Sequence, residues 1–398
     1  MKITRSKKWI LVVPGLATLS IVVAGLIWWS SHPLEQKNNI NQPQIVAPEP
    51  KIISISSKVL FTGNSFWGRY TNDNAMKTTE PYKFPFARLS EFDRQKYDSW
   101  ITGLECPTTK KGVAMTSAEM EATLTFNCDP AYLGEFAKWF DIVTLANNHT
   151  DNMGADGFLE TQQSLGDNKI QYFGHYDPSE LDEVCEVVSL PVKIHYDDKS
   201  EREGLLPVAM CGYHGVFKLP SAEAVALISK YAEKMPVIVF PHVGAEYKPA
   251  PDQIKVDLYR SFIDAGADVV IGDHPHWIQG TEVYKDKLIV YSMGNFMFDQ
   301  QFNAEVTRSA AIDVEMSSSQ TDAVQLAKWL ELGDSCKIHN DDCFEQAGRA
   351  GLGRISLNYQ FNAIATSNKG YQTYPAPDLQ SGVEQRLRWQ ESMEALGQ

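Results

Sequence analysis

The chain is short of positive charge. Against 50 aspartates and glutamates it carries 36 lysines and arginines, a formal net charge of −14. Lys2, Arg5, Lys7 and Lys8 fall in the first thirty residues, which hold no acid, so the remainder carries −18. Nucleic-acid binding needs a basic surface to displace counterions, and this composition argues against it. Any anionic ligand must be met by a local cation, either a metal ion or a few basic side chains, because the overall field repels it. A Walker loop is also missing, which removes the ATP-consuming ligase chemistry of a polymer synthase. Ser292 lies in Tyr-Ser-Met-Gly-Asn and not in a Gly-x-Ser-x-Gly elbow, which removes a serine hydrolase. No segment repeats at solenoid periods. None of the six cysteines forms a Cys-x-x-Cys pair, so neither a zinc ribbon nor a thioredoxin-type motif is present.

Long apolar runs are scarce after the first thirty residues, and that makes the first run informative. Trp9 to Trp29 is 21 residues without a charge. About 20 apolar residues span a bilayer core. Residues 1–30 therefore read as a basic cytoplasmic flank and a transmembrane helix, with Trp28 and Trp29 as interfacial anchors. A cleaved signal peptide is the alternative. Both place the rest of the chain outside the cytoplasm, and the anchor holds it at the cell membrane as a single-pass protein. Residues 31–55 read as a stalk, polar and with four prolines by residue 50. An even cysteine count in an exported domain favours disulfides, and six cysteines allow about 15 pairings. The sequence-local set is Cys106–Cys128, Cys185–Cys211 and Cys336–Cys343. Free buried thiols are the alternative.

Residues 56–376 read as one α/β (α+β) domain. Apolar strands are expected at Lys58–Thr62, Asp141–Ala146, Ile170–Phe173, Val187–Val192, Leu206–Cys211, Val237–Phe240, Val269–Ile271 and Leu288–Ser292. Helical stretches near Ala131–Phe140, Phe158–Asn168 and Lys255–Ala265 alternate with them, which argues a layered fold. Residues 317–350 look like an irregular surface insertion, and residues 377–398 like a terminal helix.

Polar residues cluster where four of these strands end. Lys58–Thr62 runs into Gly63-Asn64, Asp141–Ala146 into Asn147-Asn148-His149, Val237–Phe240 into Pro241-His242, and Val269–Ile271 into Asp273-His274-Pro275-His276. Sites in open α/β sheets form outside the carboxyl ends of strands. A lone histidine there is more often a hydrogen-bonded residue than a ligand, and Asn-Asn is more often turn chemistry. His274 and His276 are stronger, because an extended backbone would place both on one face. Asp273 would then point away from His274, as an outer support at most. Together the four clusters predict a metal site.

Four segments carry a resemblance to a known family. They are Phe61–Tyr70 (FTGNSFWGRY), Leu104–Thr109 (LECPTT), Asp141–Thr161 (DIVTLANNHTDNMGADGFLET), and the run from His242 to Asp299 that holds HVGAEYKPAPDQ, DAGADVVIGDHPHWIQGTEVY and YSMGNFMFD. Over about residues 58–300 the chain resembles the CapA family of poly-γ-glutamate capsule biosynthesis, and is similar in fold to calcineurin-like metallophosphoesterases. The resemblance implies a four-layer sandwich of two mixed sheets flanked by helices, and two divalent ions, of Mn, Fe or Zn type. It implies Asn64, Glu105, Asn148, His242, His274 and His276 as ligands, with Glu105 bridging, and a water activated between ions about 4 Å apart. His149 would be a general acid or a positioner. Arg69 would clamp a carboxylate or phosphate, or form a structural ion pair. Glu246, Tyr247 and Asn295 would line the substrate site. The implied function is hydrolysis of a phosphoester or γ-glutamyl amide in a capsule or cell-wall polymer, beside synthase subunits in the membrane. A non-catalytic binding or export role is the alternative. One departure matters: the family has Asp where this chain has Asn64, which removes a negative charge from a site meant for two dications. Asp151 and Asn152 also sit one position off the family's Asp after Asn-Asn-His.

Overall fold

The computed structural model describes residues 49–319, 323–337 and 342–398. The expected membrane helix and most of the stalk lie outside them. Among the described residues no helix is long and apolar enough to cross a membrane.

Strand β1 (Ile52–Ser65) organises the domain. It starts inside the expected stalk and runs well past the Lys58–Thr62 apolar core. Val59 and Phe61 belong to one apolar cluster and Leu60 to another, so the period of two sends alternate side chains into two cores. The first part of β1 pairs antiparallel with β5 (Cys185–Tyr196), and the last part pairs parallel with β2 (Ser99–Leu104). The sheet therefore forks at β1. The first wing continues from β2 through β3 (Ile142–Thr144) to β4 (Gln171–Phe173), all parallel. The second runs from β5 through β6 (Glu201–Gly215), β7 (Val237–Val243), β8 (Val269–Ile271) and β10 (Lys287–Ser292) to β9 (Gln279–Tyr284). On its other edge β1 pairs with β12 (Arg308–Ser319), and β12 leads on to β13 (Asn358–Ser367) and β14 (Tyr374–Pro375). The short β11 (Asn295–Met297) pairs with the end of β1 at Asn64↔Asn295. The two sheets implied by the resemblance are thus wings of one hydrogen-bonded, 14-stranded mixed sheet.

Val-Ile-Val-Phe in β7 and Val-Val-Ile in β8 are buried throughout, as parallel strands covered on both faces must be. Helices Ala222–Ala232 and Gln253–Asp264 supply cover with Ile228, Tyr259 and Phe262. Each begins at a capping side chain, Ser221 and Asp252, worth about 1 kcal/mol apiece. Phe61 of β1 and Ile101 and Ile142 from one wing join Leu190, Val208 and Met210 from the other in the larger core. The second core, against the β2–β3 wing, is aromatic: Trp67, Phe86, Trp100, Phe136, Phe140 and Phe296.

Several expectations need correction. The Asp141–Ala146 strand is confined to Ile142–Thr144, because Asn147 folds the chain back through its side-chain oxygen. The helical stretch near Ala131–Phe140 is broken into a 3-10 turn at Pro130–Tyr132 and a turn of helix at Leu133–Phe136. The described part of residues 317–350 is not an irregular surface insertion. It holds helices Ala323–Gly333 and Asp342–Arg349, which bury Leu326, Trp329, Cys343 and Ala347 in the larger core, as the turn at Asp334–Cys336 buries Cys336. The terminal helix is two, Gln380–Leu387 and Trp389–Leu396, broken at Arg388 with φ 58°. They bury Val383, Leu387 and Trp389. All three disulfides pair as expected, and no cysteine among the described residues is free.

Candidate metal centre

Strands β1, β2 and β3 are parallel to one another, as are β6, β7 and β8. Their carboxyl ends carry Asn64, Glu105, Asn148, His214, His242 and the Asp273–His276 turn. The Asp273–His276 backbone is not extended as expected. His274 has φ 89° and His276 φ 59°, left-handed conformations that cost non-glycine residues about 1–3 kcal/mol each. Such a turn brings both imidazoles inward by a route that strand alternation does not provide.

Around His242 the polar atoms crowd together. Its Nδ1 lies 2.7 Å from Asp273 Oδ1; with Nδ1–H donating to the Asp273 carboxylate, Nε2 keeps a bare lone pair. That lone pair lies 2.9 Å from Asn148 Oδ1 and 3.0 Å from His274 Nδ1. A carbonyl oxygen against a bare ring nitrogen is repulsive, and a shared cation makes it attractive. Ligand atoms of Glu105, His242 and His274 lie within 4.8 Å of one another. Glu105 is 1% exposed, and neither of its carboxylate oxygens has a hydrogen-bond partner. A buried, unpaired carboxylate is costly unless a cation meets it. Donors about 3 Å apart suit adjacent positions around an ion bound at about 2.1 Å. The residues fit a divalent ion.

Electrostatics agree. Burial, with the charges of Asp273 and Glu246, holds the Glu105 carboxyl well above the usual range. Burial pushes Asp273 up to about 8, with Lys255 opposing. Burial holds His242 and His274 far below 6.5, as neutral imidazoles with lone pairs to give. Asp273, expected to face away, supports His242 from behind and fixes its tautomer.

The other half of the expected ligand set is arranged differently. His276 Nδ1 sits 2.7 Å from Asn295 Oδ1, and its Nε2 lies 4.0 Å from Glu105 Oε1. Asn64 Oδ1 accepts from the His274 backbone N–H at 3.2 Å, and its Nδ2 lies 3.2 Å from His276 Nδ1. The Asn64 amide thus ties the strained turn to β1. Asn295, expected against substrate, is fully buried; it orients His276 and donates to Gln300 Oε1 and the Val306 carbonyl.

A cleft of about 790 Å³ opens above these residues, lined in part by Arg69, Asn148, His149, Glu246, Tyr247 and His276. His149 stacks on Phe126 with centroids 3.8 Å apart, and its Nδ1–H donates to Asn152 Oδ1 at 2.9 Å. Burial lowers its pKa to about 4. Arg69 is the structural ion pair of the two alternatives. Its Nε and Nη2 grip Asp299 at 2.8 and 2.6 Å, and the guanidinium also lies over Phe126 at 4.3 Å. Tyr247 stacks on His276 at 5.5 Å and accepts from Gln300 at its hydroxyl. Three neighbours were given no role by the sequence reading: Asp299, Phe126 and His214. His214 stands beside His242 in register, with Nδ1–H on the Tyr176 carbonyl and Nε2 buried without a partner. Its signal was available, since it too follows an apolar strand, Leu206–Cys211.

Residues 58–300 match the family described as "Bacterial capsule synthesis protein PGA_cap". The PGA biosynthesis protein CapA of Bacillus subtilis (strain 168) is 27% identical over 276 residues, 67% of this chain and 70% of that protein. The capsule biosynthesis protein CapA of Bacillus anthracis is 30% identical over 169 residues, 40% of this chain and 41% of that one. A solved structure described as a novel phosphatase of Mycoplasma pneumoniae aligns over 79% of this chain and 96% of its own, at 10% identity and a TM-score of 0.38. The family match spans more than half of the chain and takes in every residue of the metal centre, and the protein belongs to the bacterial capsule synthesis PGA_cap family.

Proposed function

We propose that this protein is a metal-dependent hydrolase of capsule metabolism with a metallophosphoesterase-like site, held at the outer face of the cell membrane by its N-terminal apolar segment. The observation that carries the reading is the donor set of Glu105, Asn148, His242 and His274, with two buried oxygens of Glu105 unpartnered. A divalent ion there supplies Lewis acidity and lowers the pKa of water. Asp273 holds His242 in the tautomer that offers Nε2. His149 is neutral at pH 7, with Nδ1–H committed to Asn152, so Nε2 accepts a proton or hydrogen bond. It therefore positions a reacting group and is a poor general acid. Arg69 shapes the cleft through Asp299 and does not clamp substrate. Glu246 and Tyr247 stand on the cleft wall to meet substrate. One ion of the Mn, Fe or Zn type would be held by Glu105, Asn148, His242 and His274. The Asn64–His276 side is a weaker second position, having lost a carboxylate.

A second reading rests on that loss: a polymer-binding or export component in a synthase complex, with a degenerate centre. Elemental analysis of protein purified without chelator separates the two. At least one transition-metal ion per chain, lost in His274→Ala, supports the hydrolase and directs assays to phosphoesters and γ-glutamyl amides. No bound metal after soaking in Mn or Zn would overturn it.

A further inference from the structure

A second cavity, of about 610 Å³, adjoins the cleft across one loop. Glu246 and Tyr247 of that loop line the cleft, and Pro249, Ala250 and Pro251 line the second cavity. Lys248 between them is exposed, and its backbone carbonyl accepts from Gln279 Nε2 at 3.2 Å. In a chain of net charge −14 the lining of this cavity is unusually basic, for it includes Arg260, Arg386 and Arg388. Their partners do not fully neutralise them. Arg260 holds Glu282 and Arg388 holds Glu391, one to one. Arg386 shares a single carboxylate with Arg308: their Nη2 atoms lie 2.8 and 2.5 Å from the two oxygens of Glu305. Four arginines thus meet three glutamates, which leaves one positive charge over. Donors are in excess as well. The Nε–H groups of Arg386 and Arg308 are buried and donate to no atom among the described residues, and neither does the indole N–H of Trp277. The Arg386 guanidinium lies 5.9 Å from the Trp277 ring centre, and Trp277 in turn meets Tyr247 of the cleft wall edge-on at 6.4 Å. Buried donors without acceptors are costly, and the oxygens of an anion relieve that cost.

We propose that this second cavity is an anion subsite, which holds a carboxylate or phosphate of a polymer whose neighbouring unit lies at the metal centre. The assignment rests on the hydrolase reading for the bond that is cut, but its own residues are not metal ligands, so metal-free protein tests it separately. Full-length protein in detergent, stripped of metal and then freed of chelator, is titrated at low salt into two fluorescein-labelled probes, penta-γ-glutamate and a glycerol phosphate trimer, and followed by anisotropy. At least one probe should bind saturably and weaken as salt rises. The tighter of the two names the anion, and equal binding marks a site that reads charge alone. Arg388→Gln, at an exposed position, and Arg386→Gln should each weaken the probe about three- to tenfold with an unchanged melting curve. Arg349→Gln, in the exposed pair of helix Asp342–Arg349, should not. His274→Ala should bind the probe as wild type does. No saturable binding of either probe, full binding in both cavity variants, equal weakening by Arg349→Gln, or loss of binding in His274→Ala would overturn the subsite. A protein that binds a probe through Arg386 and Arg388 yet takes up no metal would leave the subsite standing and sink the hydrolase.

Discussion

Replacing Asp273 with asparagine should uncouple metal affinity from fold. Asp273 Oδ1 lies 2.7 Å from His242 Nδ1, placed to accept a hydrogen bond from its N–H. Asparagine has nearly the same shape, and the space beside it is kept open by Gly103, where a Cβ would come within 2.2 Å of Asp273 Oδ2. The fold should therefore survive. If the amide oxygen faces His242 the hydrogen bond remains but the charge is gone. If the amide nitrogen faces it, the His242 proton must move to Nε2, where the ligand set needs a lone pair. Losing such a support typically costs 10- to 100-fold in metal affinity, or about 1.4–2.7 kcal/mol. Competition against a chromophoric chelator, with Mn or Zn, reads the affinity, and circular dichroism checks the fold. An affinity equal to wild type in a natively folded Asp273→Asn, while His274→Ala loses its metal, would refute the role of Asp273.

Four further outcomes are expected. Glu105 and Asp273 bind protons more tightly folded than unfolded, so their contribution to stability falls as pH rises toward about 8. His149, His242 and His274 resist protonation in the fold, so theirs is lost as pH drops below 6.5. Thermal melts of chelated protein should peak at about pH 6–7, and metal loading should abolish the decline toward pH 8, because the ligands must be deprotonated to bind. Asn64→Asp should raise the measured metal content or tighten the second ion, read by elemental analysis. Arg69→Ala leaves Asp299 as an unpaired buried charge and should cost about 3–5 kcal/mol in urea unfolding. Replacing both Cys106 and Cys128 with alanine opens a loop spanning 22 residues and should cost about 3 kcal/mol in the same assay.

Much of the site was legible because strand ends are legible. The apolar runs before Asn64, Asn148, His242 and His274 mark parallel strands, and a parallel sheet delivers its carboxyl ends to one edge. Local chain separation also sufficed for the three disulfides. What sequence could not give was direction within the turn. The positive φ of His274 and His276 decides which way Asp273 faces, and histidine's enrichment at positive φ is too slight to mark two such residues in one turn from sequence. The occupation of Arg69 depended on Asp299, 230 residues away. The two helices in residues 317–350 were missed although Ala323–Gly333 carries only Lys328 and Glu331 among its charged positions, and the packing of Trp329 into the core is a tertiary fact. The β12–β13 ladder likewise depends on pairing across the chain.

The shared strand has a mechanical consequence. Asn64 sits on the strand from which both wings diverge, bonded to the His274 turn of one wing while its neighbour Ser65 receives the Glu105 amide of the other. The two sides of the centre cannot swing apart like jaws without breaking the strand that unites them. Any ligand of the centre would then exchange past the side chains of the cleft mouth, over a floor that stays still.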